Sequence, residues 1–106
     1  MFTISDIIND INRGCAANNI VENYFSYRIV FFINEGGKST KNYIDTPYTG
    51  IRAALEKIIR NNLSVTNNVV ISAVTVRKNG KCVCMQSKSY VFSLDEYLKR
   101  IGGDGG

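Results

Sequence analysis

The sequence predicts a single α+β domain in the order α-ββ-α-ββ-α, with two hairpins joined in one antiparallel sheet and helices mainly on one face of it. Three observations predict it. Alternating apolar runs are joined in pairs at glycine-containing dipeptides, Gly36-Gly37 and Asn79-Gly80. Helix-start signals recur at Thr3, Thr46-Pro47 and Ser93. A chain of 106 residues has room for one cooperative core and no second domain.

The first helix starts at Thr3, an N-cap whose partner Asp6 stands three residues on, where its carboxylate reaches back to the cap, and Phe2 is placed to staple against Ile7. Ile4, Ile7, Ile8 and Ile11 then share one face, and Gly14 is placed to end the helix. A polar connector over residues 15–23 leads into a strand over residues 24–34. Phe25, Tyr27, Ile29, Phe31 and Ile33 lie on one of its faces and Ser26, Arg28, Val30 and Phe32 on the other. A two-residue turn at Gly36-Gly37 sets Ile29 opposite Ile44 and Arg28 opposite Asp45.

Thr46-Pro47 reads as an N-cap followed by proline at the first helical position, with Ile51, Leu55 and Ile58 forming the apolar stripe of a helix that runs to about Asn61. Arg52, Glu56 and Arg60 fall on its opposite side at i, i+4 spacing. Asn79-Gly80 is the preferred type I′ turn, because both central residues need positive φ. Closing the second hairpin there sets Val76 opposite Val83 and Val74 opposite Met85 on the core face, leaving Arg77, Cys82, Thr75 and Cys84 on the other. Ser93 and Glu96 form a capping box for a last helix, with Phe92 stapled to Tyr97 and Gly102 as its stop. The domain therefore spans residues 1–101, and residues 102–106 form a flexible glycine-rich tail. Its expected core is Ile7, Ile11, Ile29, Phe31, Leu55, Ile58, Val74, Val76, Val83 and Leu98.

Charge is the sharpest functional signal. Residues 57–94 hold Lys57, Arg60, Arg77, Lys78, Lys81 and Lys88 and no acid, while each flank sums to −1, so this stretch supplies the whole net charge of +4. Clustered Lys and Arg attract phosphate-rich or otherwise acidic surfaces. A basic hairpin projecting from a sheet suits a groove or a phosphate backbone, although lysines at a hairpin tip also serve to keep a sheet edge soluble. Tyr24, Tyr27, Tyr43, Tyr48 and Tyr90 offer rings for stacking on bases, or are ordinary strand residues with wet hydroxyls.

Other chemistry finds little support. Histidine is absent, which removes the commonest general base and the commonest metal ligand together. Cys82 and Cys84 on one strand face, with Cys15 as a third thiol, fall short of the four ligands of a structural zinc site, so no metal and no cofactor is expected. An odd count of three cysteines points to free thiols in a reducing, cytoplasmic setting. Asp6 with Asp10 on an exposed helix face, and Glu35 with Asp45 on a hairpin, read as solvated carboxylates. Gly36-Gly37-Lys38-Ser39-Thr40 lacks the upstream glycine and following helix of a phosphate loop. The longest apolar run, Ile29 to Ile33, is far short of the ~20 residues of a membrane span, and Asp6 and Asp10 occupy the place where a signal peptide is apolar.

These observations predict a non-enzymatic binding protein that contacts nucleic acid or a nucleoprotein through Lys57, Arg60, Arg77, Lys78, Lys81 and Lys88. The alternative is a protein-binding inhibitor or adaptor with hot spots on the aromatic first hairpin. In size, lack of catalytic groups and a bias toward Asn, Ile and Lys, the chain resembles small inhibitors of phages and mobile elements, anti-CRISPR proteins among them. This is a likeness of kind that rests on no motif, and it implies action by binding a host protein complex. The central ββ-α-ββ order with a glycine-rich end is also loosely similar to ubiquitin-like β-grasp modifiers, from which the chain departs in its capped final helix and in Asp104 among the glycines.

Overall fold

A computed structural model describes residues 3–17, 25–86, 88–95 and 98. Its elements are helix α1 (Ile4–Ala17), strands β1 (Ser26–Glu35) and β2 (Lys38–Pro47), helix α2 (Ile51–Asn62), and strands β3 (Asn67–Lys78), β4 (Lys81–Gln86) and β5 (Tyr90–Phe92). The sheet is antiparallel throughout, in the order β2-β1-β3-β4. The far side of β3 is shared: β4 pairs along Val74 to Lys78, and β5 along Val69 to Ile71. The α+β class holds, with β5 as a strand the sequence did not announce. Its three residues are too short a run for alternation to register, and its partner is already committed to a hairpin.

Local chemistry explains most of the boundaries. The capping box at α1 is formed: the Thr3 N–H donates to Asp6 Oδ2 at 2.8 Å and the Asp6 N–H to Thr3 Oγ1 at 2.9 Å. Gly14 does not end this helix. Cys15, four residues beyond Ile11 on the same face, is 1% exposed, and its packing carries the helix to Ala17. Both hairpin turns use positive φ at both central residues, 56° and 82° at Gly36-Gly37 and 54° and 78° at Asn79-Gly80.

Helix α2 starts later than Thr46-Pro47 suggested. Pro47 is extended (φ −69°, ψ 164°) and closes the β1–β2 ladder opposite Ser26, so β2 runs through both residues and a 3-10 turn, Tyr48–Gly50, precedes the helix. Thr46 is buried, and its hydroxyl donates to the Pro47 carbonyl at 3.0 Å. A Cβ at Gly50 would collide with that Thr46 Oγ1, which is why the bend needs glycine.

Tyr27, Ile29 and Phe31 of β1, Val69, Ile71, Val74 and Val76 of β3, and Tyr90 and Phe92 of β5 turn one face of the sheet toward Ile7, Ile11 and Cys15 of α1 and Ile51, Leu55, Ile58 and Ile59 of α2. Eight of the ten expected core residues are buried there. Val83 and Leu98 are the exceptions, at 47% and 55% exposure. A bulge explains Val83. The β3–β4 register shifts between Val76 and Arg77, so that Val76 pairs with Cys84, Thr75 with Met85 and Arg77 with Cys82. The extra residue reverses the side chains beyond it, which puts Cys84 against the core and leaves Val83 and Met85 outside. Leu94, Asp95 and Leu98 are helical, whereas the Phe2 staple, the Ser93–Glu96 box, the Phe92–Tyr97 staple, the Gly102 stop and the glycine-rich tail involve residues outside those described.

Candidate binding face of the sheet

Helices α1 and α2 pack on the same side of the sheet, and the described residues leave the other face uncovered. Alternation along the strands decides what it shows: Arg28, Val30 and Phe32 from β1, Lys41 and Tyr43 from β2, Ser72, Ala73, Thr75 and Arg77 from β3, and Met85 from β4 line a shallow concavity of about 640 Å³. A second bulge, between Val30 and Phe31, puts both Ser72 and Ala73 on this face, and the Ser72 hydroxyl donates to the Val30 carbonyl at 3.3 Å.

Arg28 organises one corner. Its guanidinium donates two hydrogen bonds to Asp45, Nε to Oδ1 at 2.7 Å and Nη2 to Oδ2 at 3.0 Å, and lies 4.1 Å from the centre of the Tyr43 ring. The predicted Arg28–Asp45 and Ile29–Ile44 pairings of the first hairpin are thus present. Asp45 is held below the ordinary carboxylate range, first by these hydrogen bonds, against a desolvation cost, with the charges of Arg28 and Arg77 adding to the effect. Arg28 is correspondingly raised, chiefly by the same hydrogen bonds.

The six basic residues of the sequence reading do not share one surface. Arg77 lines the open face, and its guanidinium donates to the Gly80 carbonyl at 2.6 Å. Lys78 and Lys81 pair at the tip of the adjoining hairpin, both exposed, with the Lys78 ammonium 5.6 Å from the Phe25 ring centre. Lys57 and Arg60 are exposed on α2, in the layer behind the sheet. Lys88 lies 3.4 Å from Asp10 Oδ2 and 5.5 Å from the Tyr90 ring centre. Lys41 and Arg28, which lie outside the acid-free stretch, join Arg77 on the open face instead. Counting charges along the chain could not reveal this, whereas period-two alternation on β1 and β2 does.

The other candidates also sort by burial. Tyr27 and Tyr90 are in the core, and Tyr48 donates to Asn12 Oδ1 at 2.7 Å with its ring 5.8 Å from that of Tyr27. Tyr43, 57% exposed, is the tyrosine on the open face, where Phe32 accompanies it, and Tyr24 lies outside the described residues. Cys15 is buried with its sulfur 3.6 Å from the Tyr27 hydroxyl, Cys82 is exposed and Cys84 faces the core, so the bulge separates the two thiols expected to share a face. Among the described residues no three Cys, Asp or Glu side chains gather as a metal-binding group, and no helix is long and apolar enough to cross a membrane.

Asp10 is not the solvated helix carboxylate its spacing from Asp6 suggested. It is 6% exposed, accepts from the Tyr90 hydroxyl and forms ion pairs with Arg13 and Lys88. The cluster ties α1 to the chain around β5, some 80 residues away in sequence. No protein family, no curated protein and no solved structure matches this chain.

Proposed function

We propose that the protein is a non-enzymatic binding protein that holds single-stranded nucleic acid, bare or within a nucleoprotein, across the open face of its sheet. One observation carries this reading: Phe32 and the Arg28–Tyr43 stack stand beside Lys41 and Arg77 on a sheet face that the described residues leave uncovered. Exposed rings and guanidinium planes take the flat faces of unpaired bases, while neighbouring cations take the phosphates. The Lys78–Lys81 tip extends the cationic rim. The carboxylate on this corner, Asp45, is engaged by two hydrogen bonds from Arg28 and stays ionised, which suits an electrostatic role better than proton transfer.

A second reading, an inhibitor or adaptor that binds a host protein, is favoured by the far side of the sheet. Val83 of β4 and Val91 of β5, which do not line the concavity, are 47% and 49% exposed, and Met85 at its rim is 58% exposed, apolar side chains that a nucleic acid does not need.

The two readings separate in a fluorescence-anisotropy titration with labelled single-stranded oligonucleotides. For nucleic acid, binding weakens with salt at a log-log slope of about −2 to −3, roughly −0.7 for each phosphate neutralised on a single strand. Phe32→Ala and Arg77→Glu each weaken it roughly tenfold, and the double variant Lys57→Glu/Arg60→Glu leaves it unchanged. Absence of binding, or binding that only the α2 double variant abolishes, overturns the reading. A protein partner lost on Val83→Glu, which lies outside the concavity, then takes its place.

A further inference from the structure

We propose that β2 is a homodimer interface, at which two copies of the chain pair β2 with β2 in antiparallel fashion about a two-fold axis through Tyr43. The interface shares Lys41 and Tyr43 with the open face but does not rest on what that face binds.

The sheet ends differently on its two sides. The β3 side is closed by a six-residue strand with a bulge and a three-residue strand, both of which blunt an edge against further pairing. The β2 side is a ten-residue strand whose register with β1 is unbroken from Ser26–Pro47 to Glu35–Lys38. Among the described residues no strand occupies its outer edge.

The hairpin fixes which backbone groups face outward. A two-residue type I′ turn closes on a hydrogen-bonded pair, here Glu35–Lys38, and in an antiparallel ladder such pairs alternate with non-hydrogen-bonded ones. Lys38, Thr40, Asn42, Ile44 and Thr46 therefore turn their N–H and C=O groups to β1, whereas Ser39, Lys41, Tyr43, Asp45 and Pro47 turn theirs outward. Pro47 falls in the outward set, where its missing N–H removes nothing from the β1–β2 ladder. That leaves Ser39, Lys41, Tyr43 and Asp45 with outward donors and acceptors in the spacing of a strand that awaits a partner.

Charge selects the partner and the register. With Tyr43 opposite Tyr43 of the second copy, Lys41 stands opposite Asp45 of the second copy, and the symmetry repeats the pair. Centring the axis on Lys41 or on Asp45 would instead oppose like charges, which is destabilising for directly facing cross-strand residues. Asp45 is half exposed at its side chain and has room for a second cation beside Arg28. No ion pair involves Lys41 among the described residues. Tyr43, 57% exposed in one copy, gains an aromatic cross-strand partner on the axis. The side chains of Lys41 and Tyr43 line the open face, so the axis runs normal to the sheet, the two open faces merge into one surface, and both helical layers remain on the other side.

Sedimentation equilibrium on the full chain tests this with two variants. The parent protein is expected to be a dimer. Lys41→Glu, which sets two acids against each other at both symmetric positions, raises the dimer dissociation constant about tenfold or more. Tyr43→Pro removes an outward N–H that β1 does not use and yields a monomer with an unchanged circular dichroism spectrum. Should Tyr43→Pro fail to fold, Lys41→Glu decides alone. A parent that is monomeric at its highest soluble concentration, or a dimer indifferent to Lys41→Glu, overturns the proposal.

Discussion

Arg28 and Asp45 meet across the first hairpin as a two-point pair, with guanidinium nitrogens 2.7 and 3.0 Å from the two carboxylate oxygens. They sit opposite each other in the β1–β2 ladder, so the register of the hairpin and the pair support each other. The pair also presses the guanidinium onto Tyr43 and fixes a cationic, aromatic corner on the open face.

A pH dependence with a definite sign follows. Asp45 is lowered in the folded chain, so its contribution to stability is complete above the ordinary aspartate value and is lost as pH falls through its lowered folded value. Arg28, raised above its ordinary value, stays charged across that whole window. Followed by NMR, the Asp45 carboxyl is expected to titrate below the model-peptide value of about 3.9 and to return toward it in Arg28→Ala. An Asp45 midpoint that Arg28→Ala leaves in place would contradict the assignment.

Asp10 should behave as a structural carboxylate. Its charge-assisted bonds to Tyr90 and Lys88 join α1 to the residues at and before β5, and Arg13 pairs with it from within α1. Asp10→Ala is expected to cost about 2–3 kcal/mol in urea unfolding, the scale of a buried hydrogen bond to a charged group. Asp6→Ala, which removes only one arm of an exposed capping box, is expected to cost about 1 kcal/mol. Equal, small effects would place Asp10 in solvent.

The bulge in β4 separates two valines that simple alternation had paired on the core face. Val76 is 3% exposed and Val83 47%, so Val76→Ala is expected to destabilise the fold by about 1–2 kcal/mol, while Val83→Ala stays within roughly 0.5 kcal/mol. Leu55→Ala, with Leu55 fully buried on the core face of α2, sets the scale of a full core truncation at about 2–5 kcal/mol. A Val83→Ala cost equal to that of Val76→Ala would restore the unbulged register.

The first hairpin, its turn, its register and its buried face were legible in the sequence, because alternation, two glycines and one facing charge pair all depend on neighbours along the chain. The α1 cap was legible for the same reason. The path of β4 was not: a bulge inserts one residue without any special residue type, and it reverses everything beyond it. Nor was the burial of Asp10, which depends on Tyr90 and Lys88 arriving from the other end of the chain. The site shifted for a related reason. Six basic residues of one acid-free stretch lie on α2, on the open face, at a hairpin tip and against Asp10, whereas Lys41 and Arg28 come to the face through strand alternation.

Binding on the open face is read residue by residue in a backbone amide NMR titration with a short single-stranded oligonucleotide. Shifts are expected to concentrate on the open-face positions of β1, β2 and β3, at Arg28, Val30, Phe32, Tyr43, Ala73 and Arg77, with Lys57 and Arg60 unmoved. Shifts confined to α2, or none at saturating oligonucleotide, would contradict it.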